Sequence, residues 1–135
     1  YGPRRSTDCA IRTMIEDALS GLPTKLDWGA GEHWPFVYVA DIVDATVAAL
    51  DAPKTSQYAY NVAGPDMPAV QRIAELVFES FPNASIELGS NSRRDKRGRF
   101  DMSAAANDLD WTPKWDIKRG VKAYIEWFRS YHPNT

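Results

Sequence analysis

Phe36-Val37-Tyr38-Val39-Ala40-Asp41-Ile42 sets an apolar, β-favouring run directly against the start of a helical repeat. Phe36–Val39 reads as a short strand. Asp41 then reads as the N-cap of a helix with Ile42 or Val43, Thr46, Val47 and Leu50 on one face, stopping before Pro53. A strand feeding straight into a helix is the unit of an α/β fold.

Working outward, the same alternation repeats. Asp8 caps a helix carrying Ile11, Met14, Ile15, Ala18 and Leu22 on one stripe, ended by Gly21 and Pro23. Another starts near Pro68 and aligns Val70, Ile73, Ala74, Val77 and Phe81. A third follows Asp116, with Ile117, Val121, Tyr124, Ile125 and Phe128 on one side. A shorter helix runs from Met102 to Leu109 behind Asp101. Strand-like runs fall at Lys25–Trp28, Tyr58–Val62, Ser85–Leu88 and Arg99–Asp101, and Gly89–Gly98 reads as flexible. The expected fold class is α/β, with short strands and about five helices.

The chain has 135 residues, one domain's worth, and enough apolar and aromatic residues for a real core. Lys and Arg number 16 against 18 Asp and Glu, a net charge of −2, so the basic bias of a nucleic-acid domain is missing. Only Arg93-Arg94-Asp95-Lys96-Arg97-Gly98-Arg99 is strongly cationic, a local +4 on a remainder of −6. It reads as a solvated loop or as an anion site. One cysteine, Cys9, makes an internal disulfide impossible and gives no support for an oxidising compartment. No apolar stretch approaches the ~20 residues of a membrane span. A cytoplasmic protein is therefore expected.

Catalytic signatures are sparse. Trp28-Gly29-Ala30-Gly31 lacks the third glycine and the following helix of a dinucleotide fingerprint, so it reads as a turn. His33 and His132 have no partners at metal-ligand spacing. Asp41 and Asp44 could pose as paired carboxylates, but the cap explains Asp41 better. No Tyr precedes a Lys by four positions, and no Gly-x-Ser-x-Gly elbow occurs.

Five motifs, in order, nevertheless resemble one family. Tyr1-Gly2-Pro3-Arg4 is similar to the stretch that closes the Rossmann half of extended short-chain dehydrogenases. Phe36–Ile42 resembles their strand-to-helix segment, and Tyr60-Asn61-Val62-Ala63-Gly64 their following strand and turn. Arg97-Gly98-Arg99-Phe100-Asp101-Met102-Ser103, Leu109-Asp110-Trp111-Thr112-Pro113 and Tyr124-Ile125-Glu126-Trp127 resemble their ending. The family is that of the NAD-dependent epimerase/dehydratases.

The resemblance implies that residues 1–135 are the C-terminal, substrate-binding domain of a larger enzyme, lacking the N-terminal Rossmann half. The Gly-rich cofactor loop and the catalytic Ser/Thr, Tyr and Lys lie outside this chain, so the segment alone is expected to be inactive and to supply no catalytic residue. It implies NAD(P) as cofactor, approached by Tyr1, Gly2 and Pro3. The implied substrate is a sugar or nucleotide-sugar-like molecule, contacted by Arg4, Phe36, Tyr38, Arg97 and Arg99. Trp34-Pro35 stands where nucleotide-sugar enzymes commonly carry Arg-Asp, which removes a phosphate contact and leaves a smaller or differently charged sugar open. Epimerisation, dehydration and oxidation all remain open. Without the Rossmann sheet the Tyr58–Val62 strand has unpaired edges, so a homo-oligomer is expected. The alternative is a free-standing α/β binding module without catalysis.

Overall fold

The computed structural model describes residues 1–91 and 98–131. Helix α1 (Ala10–Ser20) ends where Gly21 turns left-handed at φ 67°. The Leu22 N–H there reaches back to the Asp17 carbonyl at 2.8 Å. That reversal starts strand β1 (Pro23–Gly29), whose buried Thr24 donates its hydroxyl to the Asp17 carboxylate at 2.8 Å. Helices α2 (Val39–Asp51) and α3 (Val70–Ser80) lie in the crossover to strand β2 (Ser85–Gly89). Strand β2 pairs parallel with β1, Thr24 opposite Ile86 and Leu26 opposite Leu88. Parallel neighbours need such a long crossover, so the pairing follows from the order of elements. Helices α4 (Ser103–Leu109) and α5 (Ile117–Tyr131) complete the chain.

The main core joins the stripes that periodicity marks: Ile11, Met14 and Ile15 of α1, Val70, Ile73, Ala74 and Val77 of α3, and Ile117, Val121, Tyr124, Ile125 and Phe128 of α5. Asp116 caps α5, its carboxylate accepting the Arg119 N–H at 2.7 Å. The cap position of α4 is Met102, not the expected Asp101, whose carboxylate accepts the Ser103 N–H at 2.9 Å from one residue earlier. A second cluster gathers Ala45, Ala105, Leu109 and Trp111. The α/β class with five helices stands.

Several local expectations do not. Asp8 does not cap α1; the helix starts from Cys9, with no side-chain cap. Helix α2 begins at Val39, two residues before its expected cap. Asp41 lies inside its first turn, fully buried, and accepts the backbone N–H groups of Lys114 at 2.9 Å and Trp115 at 3.1 Å. The carboxylate thus satisfies a turn 73 residues away instead of its own helix. The face of α2 is also reversed: Ile42, Val43, Val47 and Leu50 are exposed, and it is Ala45 that packs inward. Small alanines let α2 approach α4 closely, which turns the larger side chains outward.

Phe36–Val39, Tyr58–Val62 and Arg99–Asp101 are not strands. A strand needs a partner ladder, and none runs beside them among the described residues. Phe36–Val39 keeps one trace of pairing: the Tyr1 nitrogen donates to Val37 O at 2.7 Å and the Val39 N–H to Tyr1 O at 2.8 Å, as in a parallel bridge. Most of the Gly89–Gly98 stretch, Arg97 included, lies outside the described residues.

Candidate functional site

The site is built on the pairing of Tyr1 with Tyr38. Gly2 follows at φ 135°, and a Cβ there would come within 2.6 Å of Val39 Cγ1, so this turn demands glycine for both conformation and space. Tyr1 is buried, its ring edge-on to Phe36 with centroids 6.2 Å apart and tilted against Tyr38 at 5.4 Å. Tyr38 in turn packs on Trp115 at 4.5 Å, and Trp115 belongs to the turn that Asp41 holds. Burial pushes the hydroxyls of both Tyr1 and Tyr38 above the ordinary phenol range. The Tyr1 hydroxyl packs against Gly120 of α5 and has no hydrogen-bond partner among the described residues.

In front of this aromatic wall opens a cleft of about 380 Å³. Its sides are Leu26 and Trp28 of β1, the Trp34–Val37 segment, and Cys9, Ala10 and Thr13 at the start of α1, with Arg5 and Asp8 at the polar edge. Trp28 and Trp34 form a tilted indole pair at 5.6 Å, and Trp34 Nε1 donates to the Glu32 carboxylate at 2.9 Å. Apolar walls with a few charged groups are the usual make-up of a small-molecule site, and this volume falls in the usual range of roughly 300–1,000 Å³. The described charges on its wall, Arg5 and Asp8, oppose one another.

The residues expected from sequence do not converge on this one cleft. Tyr1 and Phe36 line it, while Gly2 is buried and Pro3 half-buried behind it. Tyr38 stands in the core as a support. Arg4, exposed and left-handed at φ 64°, lines a neighbouring groove against α5. Arg99 lines a small recess of about 40 Å³ with Pro35, Gly64 and Asp66. Arg97 lies outside the described residues. Sequence reading missed Trp28 and Trp34 as a pair, although a tryptophan at a strand end beside a Gly-x-Gly turn is a visible signal.

The arrangement can hold a ring. No glycine-rich loop opening a helix, as a dinucleotide would need, occurs in this sequence. Among the described residues, no helix is long and apolar enough to cross a membrane.

Residues 1–63 match the model of the NAD dependent epimerase/dehydratase family. UDP-glucuronic acid decarboxylase 1 of Arabidopsis thaliana is 27% identical over 134 residues, covering 96% of this chain and 30% of that protein. Over these residues the chain is similar to the NAD-dependent epimerase/dehydratase family. A further relative, dTDP-4-dehydro-6-deoxy-D-allose reductase of Streptomyces, is 27% identical over 141 residues, with 40% of its length covered. Among solved structures, UDP-glucuronic acid 4-epimerase of Bacillus cereus, in complex with UDP-glucuronic acid and NAD, superposes with a TM-score of 0.84 at 25% identity. That match covers 97% of this chain and 43% of the epimerase. The chain thus spans less than half the length of these family members, and the extended short-chain dehydrogenase fold is the one its helices and strands follow.

Proposed function

We propose that residues 1–135 form the substrate-binding portion of an NAD(P)-dependent epimerase, dehydratase or dehydrogenase acting on a sugar or nucleotide sugar. The observation that carries the reading is the cleft between Trp28, Trp34 and Phe36, set directly on the Tyr1-Gly2-Pro3 turn in a chain whose relatives process such substrates. Phe36 and the two indoles would hold a sugar or base by its flat face, and Tyr38 would brace that wall from behind. Arg97 and Arg99 would supply cations toward the ligand's anionic part. Tyr1, Gly2 and Pro3 would form this portion's share of the wall beside the cofactor. Bound NAD(P) would supply the hydride chemistry, and the residues here orient the substrate and exclude water. We place the enzyme in the cytoplasm and expect it to self-associate through the exposed apolar face of α2.

The test uses protein expressed from the complete coding sequence, supplied with NAD and a panel of UDP- and dTDP-sugars. Turnover of at least one sugar, with Trp28→Ala raising KM about tenfold and sparing kcat, supports the reading. No turnover and no binding of any sugar by the intact protein would overturn it in favour of a non-catalytic module.

A further inference from the structure

On the other side of Arg5 from the indole cleft, Arg4, Arg5, Ser6, Arg12 and Glu16 face Trp127 and its aromatic neighbours on α5 across a groove of about 400 Å³. Three guanidiniums meet a single carboxylate there. Arg12 is already paired: it bonds Glu16 at 2.8 and 2.9 Å and reaches the Arg5 carbonyl at 2.8 Å. Arg5 bonds only neutral acceptors, the carbonyls of Thr7 at 3.2 Å and Asp8 at 3.5 Å. Arg4 has no hydrogen bond or ion pair among the described residues. Among the described residues, Arg4 is therefore the guanidinium left without a partner, and Arg5, flanked by Asp8, turns its donors to carbonyls instead of a carboxylate.

The opposite wall is aromatic and held in place. Trp127 packs edge-on to Phe128 at 5.1 Å and stacks on Tyr131 at 4.8 Å. The deeper Tyr124 ring is fully buried, and burial pushes its hydroxyl up to about 12, so it stays a neutral group under the charges. Arg4 is presented by a left-handed residue, a conformation that L side chains adopt at a cost and that clusters at ligand-holding sites. We propose that this groove binds a small phosphomonoester carrying a flat ring, with its phosphate on Arg4 and Arg5 and its ring against Trp127. A phosphomonoester carries close to two negative charges at neutral pH, which suits the adjacent guanidiniums of Arg4 and Arg5. The ring explains why the cations face an indole instead of open solvent.

Phenyl phosphate is the probe, measured by calorimetry on the protein expressed from its complete coding sequence, with inorganic phosphate and benzyl alcohol as its two halves. Phenyl phosphate should bind at least tenfold tighter than either half, and more tightly as pH rises through about 6, where the second phosphate proton leaves. Arg4→Gly suits the left-handed backbone and keeps the fold, so its melting temperature should hold while phenyl phosphate weakens about tenfold. Trp127→Leu should weaken phenyl phosphate but not inorganic phosphate. Trp28→Ala, in the indole cleft, should leave phenyl phosphate binding unchanged, which separates this site from the proposed substrate site. Full affinity in Arg4→Gly, or loss of binding in Trp28→Ala, would overturn the assignment.

Discussion

Replacing Asp41 with alanine should be among the most damaging single changes in this chain. Its carboxylate is fully buried and accepts two backbone N–H groups, Lys114 at 2.9 Å and Trp115 at 3.1 Å. Alanine leaves both donors without their acceptor, at about 1–3 kcal/mol each, so the expected loss is about 2–6 kcal/mol. Set against a typical stability of about 5–15 kcal/mol, that is a large fraction. For a domain of this size it lowers Tm by roughly 10–20 °C. Asparagine keeps one acceptor and should recover about half of the loss. Asp44 is the internal control: its ion pair with Lys114 Nζ at 3.3 Å is exposed, so Asp44→Ala should cost under about 1 kcal/mol. Urea unfolding followed by tryptophan fluorescence reads all three variants, and also reports whether Trp115 leaves its packing on Tyr38. An Asp41→Ala cost below about 1 kcal/mol would refute the claim that this carboxylate holds the 114–115 turn.

Four further outcomes follow from the structure. Tyr1→Phe removes a buried hydroxyl without a partner, so it should leave stability unchanged or raise it by about 1 kcal/mol. Gly120→Ala drives a methyl into that hydroxyl and should cost about 1–3 kcal/mol, part of it recovered in the Tyr1→Phe background; equal costs in both backgrounds would contradict the packing. The Asp108 carboxylate accepts from the Ser56 N–H, the Ser56 hydroxyl and the Tyr60 hydroxyl, which hold it below the ordinary aspartate range. A depressed folded-state value adds stability above the unfolded pKa of about 4 and loses it as pH falls below that, so Tm should drop at acid pH and Asp108→Asn should flatten the drop. The outward face of α2 predicts that Val47→Lys and Leu50→Lys together change folding stability by less than about 1 kcal/mol yet reduce self-association in light scattering; severe unfolding would mean the face is buried.

What the sequence made legible was whatever a local period records. The stripes of α1, α3 and α5 bury most of the residues that 3.6-residue spacing marks, although Leu22 lies exposed beyond the end of α1; Asp116 caps α5, whereas the cap position of α4 is Met102, one residue after the expected Asp101. The parallel β1–β2 pair follows from strands separated by helices. Asp41 was misread because its bonds close on residues 114 and 115, and no local pattern distinguishes a cap from a long-range acceptor. The face of α2 was misread because hydrophobicity alone favours Ile42 and Val47 inward, whereas close packing on α4 selects Ala45. Phe36–Val39 and Tyr58–Val62 have strand composition, but a strand exists only where a partner pairs with it. At the site, Phe36 and Tyr38 were marked by resemblance, yet Trp28 meets Trp34 only because the turn at Gly29–Gly31 folds one toward the other.

The indole cleft is the proposed seat of the sugar or nucleotide sugar. Calorimetric titration of the intact protein, expressed from its complete coding sequence and saturated with NAD, tests this most directly when run across UDP- and dTDP-sugars for the native and Trp28→Ala forms. The expected result is saturable binding of at least one sugar that weakens about tenfold in the variant while its fold is kept. Equal affinity in both forms, or no sugar binding at all, would contradict it.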